Sequence, residues 1–140
     1  MKGHMALFGL VSVILLAAFG TGLWAPSTLA DWVLSWQKAV FAPLCHQAPG
    51  RSLWLNGAPM AVCERCFGLY SGLWLGVAAG FFLRVPIRVL RIVGTLASVA
   101  LLADVIWGEL PVFRVGTGLC LGWIGGLLLV SWRGRPASTP

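Results

Sequence analysis

Four apolar stretches dominate the chain, at residues 5–24, 67–83, 92–110 and 113–132. Each approaches the ~20 residues that a helix needs to cross the hydrocarbon of a bilayer. Lipid offers backbone N–H and C=O groups no partner, so each stretch is expected to be helical. A fifth pattern lies between the first two. Leu29, Trp32, Val33, Trp36 and Val40 share one helical face, while Asp31, Ser35 and Lys38 are more polar. Thr28 as N-cap, with Asp31 three residues on, would open this helix after Ser27, and Pro43 would stop it. The pattern predicts a short amphipathic helix over 28–42 in the membrane interface, with Trp32 and Trp36 at headgroup level. Pro49-Gly50 and Asn56-Gly57 mark turns beyond it, and 53–55 would form a short extended arm between them.

The expected fold is therefore all-α: one integral membrane domain over 1–140, built of four transmembrane helices and an interfacial amphipathic helix, with a loop at 43–66. Glycines recur every four residues at Gly68, Gly72, Gly76 and Gly80, and again at Gly118, Gly122 and Gly126. Such stripes let helix backbones approach closely. They predict packing of the second apolar helix on the fourth, with a homo-oligomer or a larger membrane complex as the competing use. Ala97, Ala100, Asp104 and Gly108 form a small-residue face on the third helix. That face should point inward, because a carboxylate is costly to expose to lipid.

Composition agrees with this reading. Of 140 residues, 59% are hydrophobic and 10% are charged, and the mean hydropathy is +0.88. A soluble domain carries roughly 25% charged residues. The net charge of +6 would raise nucleic-acid binding in a soluble protein, but no basic stripe is interleaved with aromatics here. The basic residues sit at helix ends instead. Lys2, Arg84, Arg88, Arg91, Arg133 and Arg135 fall on one side of a four-span bundle. Lys38, Arg51, Arg65 and Arg114 fall on the other, offset by Asp31, Glu64 and Glu109. This excess predicts cytoplasmic termini in the inner (cell) membrane and a periplasmic or exterior loop. The first stretch reads as a retained helix rather than a signal peptide. It is long for a signal core, and no small-x-small site precedes Pro26.

Chemistry concentrates in the loop. Cys45-His46 is followed by Cys63-Glu64-Arg65-Cys66, where the C-x-x-C spacing places two sulfurs one turn apart at a helix start. Thiolates there gain from free N–H groups and the helix dipole, and Arg51 and Arg65 add positive charge. The run Cys45-His46-Gln47-Ala48-Pro49-Gly50-Arg51-Ser52, then Cys63-Glu64-Arg65-Cys66-Phe67-Gly68-Leu69-Tyr70-Ser71-Gly72, resembles an uncharacterised family of small prokaryotic membrane proteins. That family is marked by C-H-Q-x-P-x-R-S and C-x-R-C-x-G-x-Y-x-G, then an aspartate in the next helix and R-x-x-T-G. Asp104 and Arg114-Val115-Gly116-Thr117-Gly118 match the latter two. The resemblance covers roughly 45–126 and implies a membrane protein; it carries no settled activity.

Several readings of the cluster stay open. Cys45, His46, Cys63 and Cys66 would make a Cys₃His site for zinc or another divalent metal. Adjacent Cys45 and His46 are awkward as joint ligands, so one would stand behind the other, and Asp104 or water would complete the shell. Such a metal would be catalytic, activating water, or a cargo. Alternatively, the C-x-x-C pair with Cys45 is a membrane thiol–disulfide centre. A third reading is a disulfide or zinc staple in an accessory subunit of a larger complex. Among other residues, Asp104 is a functional candidate or the buried partner of Arg114, and Tyr70 a hydrogen-bonding group or an interfacial aromatic. Glu64 is a proton carrier or a solvated loop charge, Cys120 a packing residue, and His4 a terminal residue outside the site. No phosphate-binding loop, G-x-S-x-G or catalytic carboxylate pair is present.

Overall fold

Two helices run together along their glycines and form the spine of the protein. In the computed structural model, which describes residues 2–20, 28–55, 58–83, 85–107 and 111–133, these are α3 (Glu64–Ala79) and α5 (Pro111–Arg133). Gly68, Gly72 and Gly76 lie against the backbones of Val115, Leu119 and Trp123, and Gly118, Gly122 and Gly126 lie against Arg65, Leu69 and Leu73. The predicted contact between the second and fourth apolar stretches is thus made, and it covers both glycine faces within one chain.

The remaining elements are α1 (Lys2–Ala18), α2 (Thr28–Phe41), a 3-10 turn at Pro49–Arg51, strands β1 (Ser52–Leu55) and β2 (Ala58–Cys63), and α4 (Ile87–Trp107). α1 packs on α3 and α5 through Leu7, Val11, Val77 and Val130. The indole N–H of Trp74 donates to the Ser12 hydroxyl at 2.8 Å, giving that apolar contact one polar tie. α4 lies on α5, and its buried side chains among the described residues are Leu90 and Asp104.

Several element bounds differ from expectation. α1 stops at Ala18 rather than 24, followed by Gly20 in the left-handed region at φ 68°, a conformation that ends helices. α3 begins one turn earlier than 67, because Cys63 supplies an extended N-cap, and ends at Ala79 with Gly80 as C-cap. α4 begins at Ile87, after Pro86, and takes in Arg88 and Arg91. The all-helical expectation is corrected by an antiparallel β1–β2 hairpin that pairs Ser52 with Cys63 and Leu55 with Ala58. The extended arm is therefore half of a hairpin. Its other half, with Met60, Ala61 and Val62 buried, carries no strand signal in the sequence because a short fully buried strand lacks polar alternation. Trp24, Ser27, Asn56-Gly57, Arg84, Gly108, Glu109 and Arg135 lie outside the described residues, as do the side chains of Thr28 and Asp31.

Among the described residues, one helix is long and apolar enough to cross a membrane, Val112–Trp132. α1 and α3 have 17 and 16 residues. α4 carries charge at both ends. Only 28% of the apolar window in α5 is buried within the protein, so this is no core helix of a soluble fold. Leu10, Val13 and Leu16 of α1 and Leu96, Val99 and Leu102 of α4 likewise point outward. α2 has two apolar sides. Leu34 and Phe41 face the core, while Trp32, Val33, Trp36 and Val40 form the predicted face and are exposed.

Candidate metal centre

Three separate elements bring sulfur to one point. Cys45 follows the turn that closes α2, where its N–H donates to the Phe41 carbonyl at 2.8 Å. Cys63 ends β2, and Cys66 lies in the first turn of α3. The three Sγ atoms all lie within 4.8 Å of one another. A tetrahedral site with Zn–S near 2.3 Å has S···S edges of about 3.8 Å, so closure needs movements of about an ångström or less. All four cysteines are free thiols.

The setting suits thiolates. The backbone N–H of Cys63 donates to Cys45 Sγ at 3.2 Å. Cys45 is buried among Ala18, Phe41, Ala61 and Val62, so water competes weakly for its sulfur. Cys63 and Cys66 both precede the apolar segment at 67–83. The Cys66 thiol, hydrogen-bonded to Cys63, lowers the Cys63 pKa to about 5; the Cys45 thiol assists and burial opposes. Cys66, as the donor, is pushed up by the same bond and by burial. The arrangement therefore favours a thiolate at Cys63, with the Cys66 and Cys45 sulfurs beside it.

Other predicted site residues are distributed differently from expectation. His46 is solvent-exposed and outside the group of converging ligand atoms. Tyr70 packs its ring on Phe41 at 5.6 Å, within the apolar cluster around the cysteines. Asp104 and Arg114 do not pair with each other. Asp104 takes Arg65 instead, with Arg65 Nε donating to Oδ2 at 2.8 Å and Nη2 donating to the Asp104 backbone carbonyl at 2.9 Å. Thr117 Oγ1 approaches the same Oδ2 at 3.3 Å. Arg114 faces Glu64 across 3.6 Å. Glu64 is 6% exposed, which corrects its reading as a solvated loop charge: helix α3 begins at this residue and turns it against α5. Cys120 is exposed and lies away from the cluster.

Arg65 and Thr117 are the residues that sequence reasoning passed over. Both stand in the C-x-R-C and R-x-x-T-G runs of this sequence, where Arg65 signals no more than general positive charge. The two inner residues of the C-x-x-C thus carry the two ion pairs. Arg65 ties the site to α4 and Glu64 ties it to α5.

A profile of the family described as "Predicted membrane protein (DUF2085)" matches residues 45–130. An uncharacterized protein of the archaeon Methanocaldococcus jannaschii, MJ1492, is 51% identical over 39 residues, which is 28% of this chain and 25% of that protein. The chain thus matches about a quarter of that relative's length. No solved structure matches.

Proposed function

The chain belongs to the DUF2085 family of membrane proteins, and from that premise we propose that it is a multi-pass membrane protein holding a zinc-like divalent ion on Cys45, Cys63 and Cys66. The observation that carries this reading is the convergence of three sulfurs from three elements within 4.8 Å. Three thiolates select a soft or borderline ion, and zinc is the common one of that kind. The fourth position is exchangeable, taken by water or by His46, whose exposed ring is free to swing from its place beside Cys45. An open position is what a catalytic or a metal-handling site requires. Metal handling is favoured, because Arg65 is taken up by Asp104 and Glu64 faces Arg114, which leaves the sulfurs as the donors that converge on one point.

Four spans through the inner membrane, made by α1, α3, α4 and α5, fit the outward apolar residues of these helices. Short helices are accommodated by local thinning of the bilayer, and arginines at helix ends by reaching to the headgroups. The basic excess puts both ends of the chain in the cytoplasm and the metal at the outer face. α2 lies along that face with Trp32 and Trp36 in the interface. Elemental analysis of protein purified without chelators tests the centre. One metal per chain is expected, and a metal-free protein with three reduced thiols would overturn the proposal.

A second reading has its own support. The depressed pKa of Cys63 beside Cys66 suits a thiol–disulfide centre. Closure of a Cys63–Cys66 disulfide would pass two electrons and two protons to a quinone or a partner disulfide. A Cys63–Cys66 disulfide trapped by alkylation in growing cells would favour this reading over the metal.

A further inference from the structure

Arg65 occupies an unusual place. It sits directly before Cys66 in the first turn of α3, yet its side chain leaves the cluster and grips α4. The grip has two points, the carboxylate of Asp104 at 2.8 Å and the Asp104 backbone carbonyl at 2.9 Å. Two bonds from one guanidinium fix its direction as well as its position. The Asp104 side chain is 5% exposed and that of Arg65 25%, so the carboxylate end of the pair is shielded from water while the guanidinium is partly open to it. α4 otherwise rests on α5, where Thr117 Oγ1 reaches the same Asp104 oxygen at 3.3 Å. The α4 side chains at Ile92, Leu96, Val99, Leu102 and Ile106 point outward, and Leu90, far from this end, is its other buried side chain among the described residues. The Cys66 end of the cluster and the Asp104 end of α4 are therefore mechanically joined.

We infer that Arg65 and Asp104 are positioning residues that couple occupation of the cysteine site to the docking of α4. The inference rests on the metal reading above. Drawing Cys63 and Cys66 onto an ion fixes the turn that contains Arg65, and a fixed Arg65 holds Asp104 and the end of α4 in place. Linkage makes the coupling reciprocal: whatever metal does for α4, the docked α4 does for metal affinity. Glu64 makes the parallel tie to Arg114 on α5. α5, however, is already fixed on α3 by the glycine interlock, so α4 is the element left to respond.

The test uses the full chain in lipid nanodiscs, stripped of metal under reducing conditions and titrated with Co²⁺. Its sulfur-to-cobalt charge-transfer absorption reports thiolate ligation directly. Asp104→Asn and Arg65→Gln are each expected to weaken Co²⁺ binding about tenfold, and the double variant no further, since both cut the same tie. Arg65→Lys should fall between, keeping the charge and losing the second bond. A second measurement needs no variant: saturating Zn²⁺ should slow amide exchange over 101–107 in the native protein. Equal Co²⁺ affinity in the native protein and Asp104→Asn would overturn the coupling while leaving the metal centre standing. Unchanged exchange over 101–107 on adding Zn²⁺ would do the same. No cobalt–thiolate band in the native protein would overturn the centre itself, and the coupling with it.

Discussion

Gly72 of α3 rests on the backbone of Leu119 of α5, and a β-carbon at Gly72 would overlap the Leu119 carbonyl oxygen. The same is true in reverse of Gly122 against Leu69. Backbone cannot retreat as a flexible side chain can, so any substitution must push the two helices apart. Gly72→Val or Gly122→Val is expected to cost about 3 kcal/mol or more, the upper range for overpacking. Gly116, on the same helix, has open space where its β-carbon would go. Gly116→Ala should leave stability unchanged or raise it by up to about 1 kcal/mol, from helix propensity alone. Thermal unfolding of the detergent-solubilised variants checks this. Similar losses at Gly72 and Gly116 would mean that α3 and α5 are not interlocked as described.

The cysteines make a sharper set. Cys45→Ser, Cys63→Ser and Cys66→Ser are each expected to lose the bound metal, because two thiolates and a water leave a divalent ion poorly held. Cys120→Ser should retain one metal per chain, since that residue stands apart on α5. His46→Ala should also retain it, with the fourth position passing to water. Inductively coupled plasma analysis of the five proteins reads the outcome. Loss of metal in His46→Ala would promote that histidine to an obligatory ligand and close the position treated above as exchangeable.

The Glu64–Arg114 pair makes a different kind of prediction. Its side chains are 8% and 15% exposed, so removing Arg114 strands the Glu64 carboxylate in a poorly solvated place. Breaking a buried pair costs roughly 3–5 kcal/mol. The 3.6 Å separation is loose, which puts Arg114→Met near the low end, at about 3 kcal/mol. The double variant Glu64→Leu/Arg114→Met should cost less than the two single changes summed, as it removes the carboxylate that Arg114→Met alone would strand. Additive losses in chemical unfolding would show that the two groups do not interact.

How far the sequence revealed this architecture depended on the kind of pattern. The glycine stripes were legible because four-residue spacing on a helix permits one physical use, close approach, and the two stripes belonged to segments that could meet. The amphipathic α2 and the C-x-x-C at a helix start were legible for the same reason: each is a local period. What escaped notice was non-local. The expected buried partner of Asp104 is Arg114, which opens the next apolar stretch on the same side, whereas the structure gives it Arg65. The choice of Arg65 follows from helix α3 starting at Glu64, one turn earlier than hydropathy suggested, which turns Glu64 and Arg65 toward different neighbours. Hydropathy begins a helix where lipid begins, whereas the N-cap begins it where the strand ends. The β2 strand escaped for a related reason. Its residues are buried in the cysteine cluster, so the polar alternation that marks a surface strand is absent.

Membrane topology is the prediction with the widest reach, since it decides which compartment would supply a metal to the three sulfurs. The four-span arrangement places residues 2, 88, 91 and 133 on one side and 38, 51, 65 and 114 on the other. Single cysteines introduced at Arg51 and at Arg88, each in a chain with Cys45, Cys63, Cys66 and Cys120 replaced, would report from opposite sides. In intact cells a membrane-impermeant maleimide should label the cysteine at 51, on the hairpin side, and spare the one at 88 until the membrane is opened. A second introduced site at Trp54, 63% exposed within β1, guards against local shielding of the first. Labelling at 88 with protection at 51 would invert the orientation and put the thiols in the cytoplasm. There thiol reductants keep cysteines reduced, and a resident zinc would compete with none of the oxidative chemistry that the exterior face allows. Labelling at both positions in intact cells would remove the span made by α3 and the four-span arrangement with it.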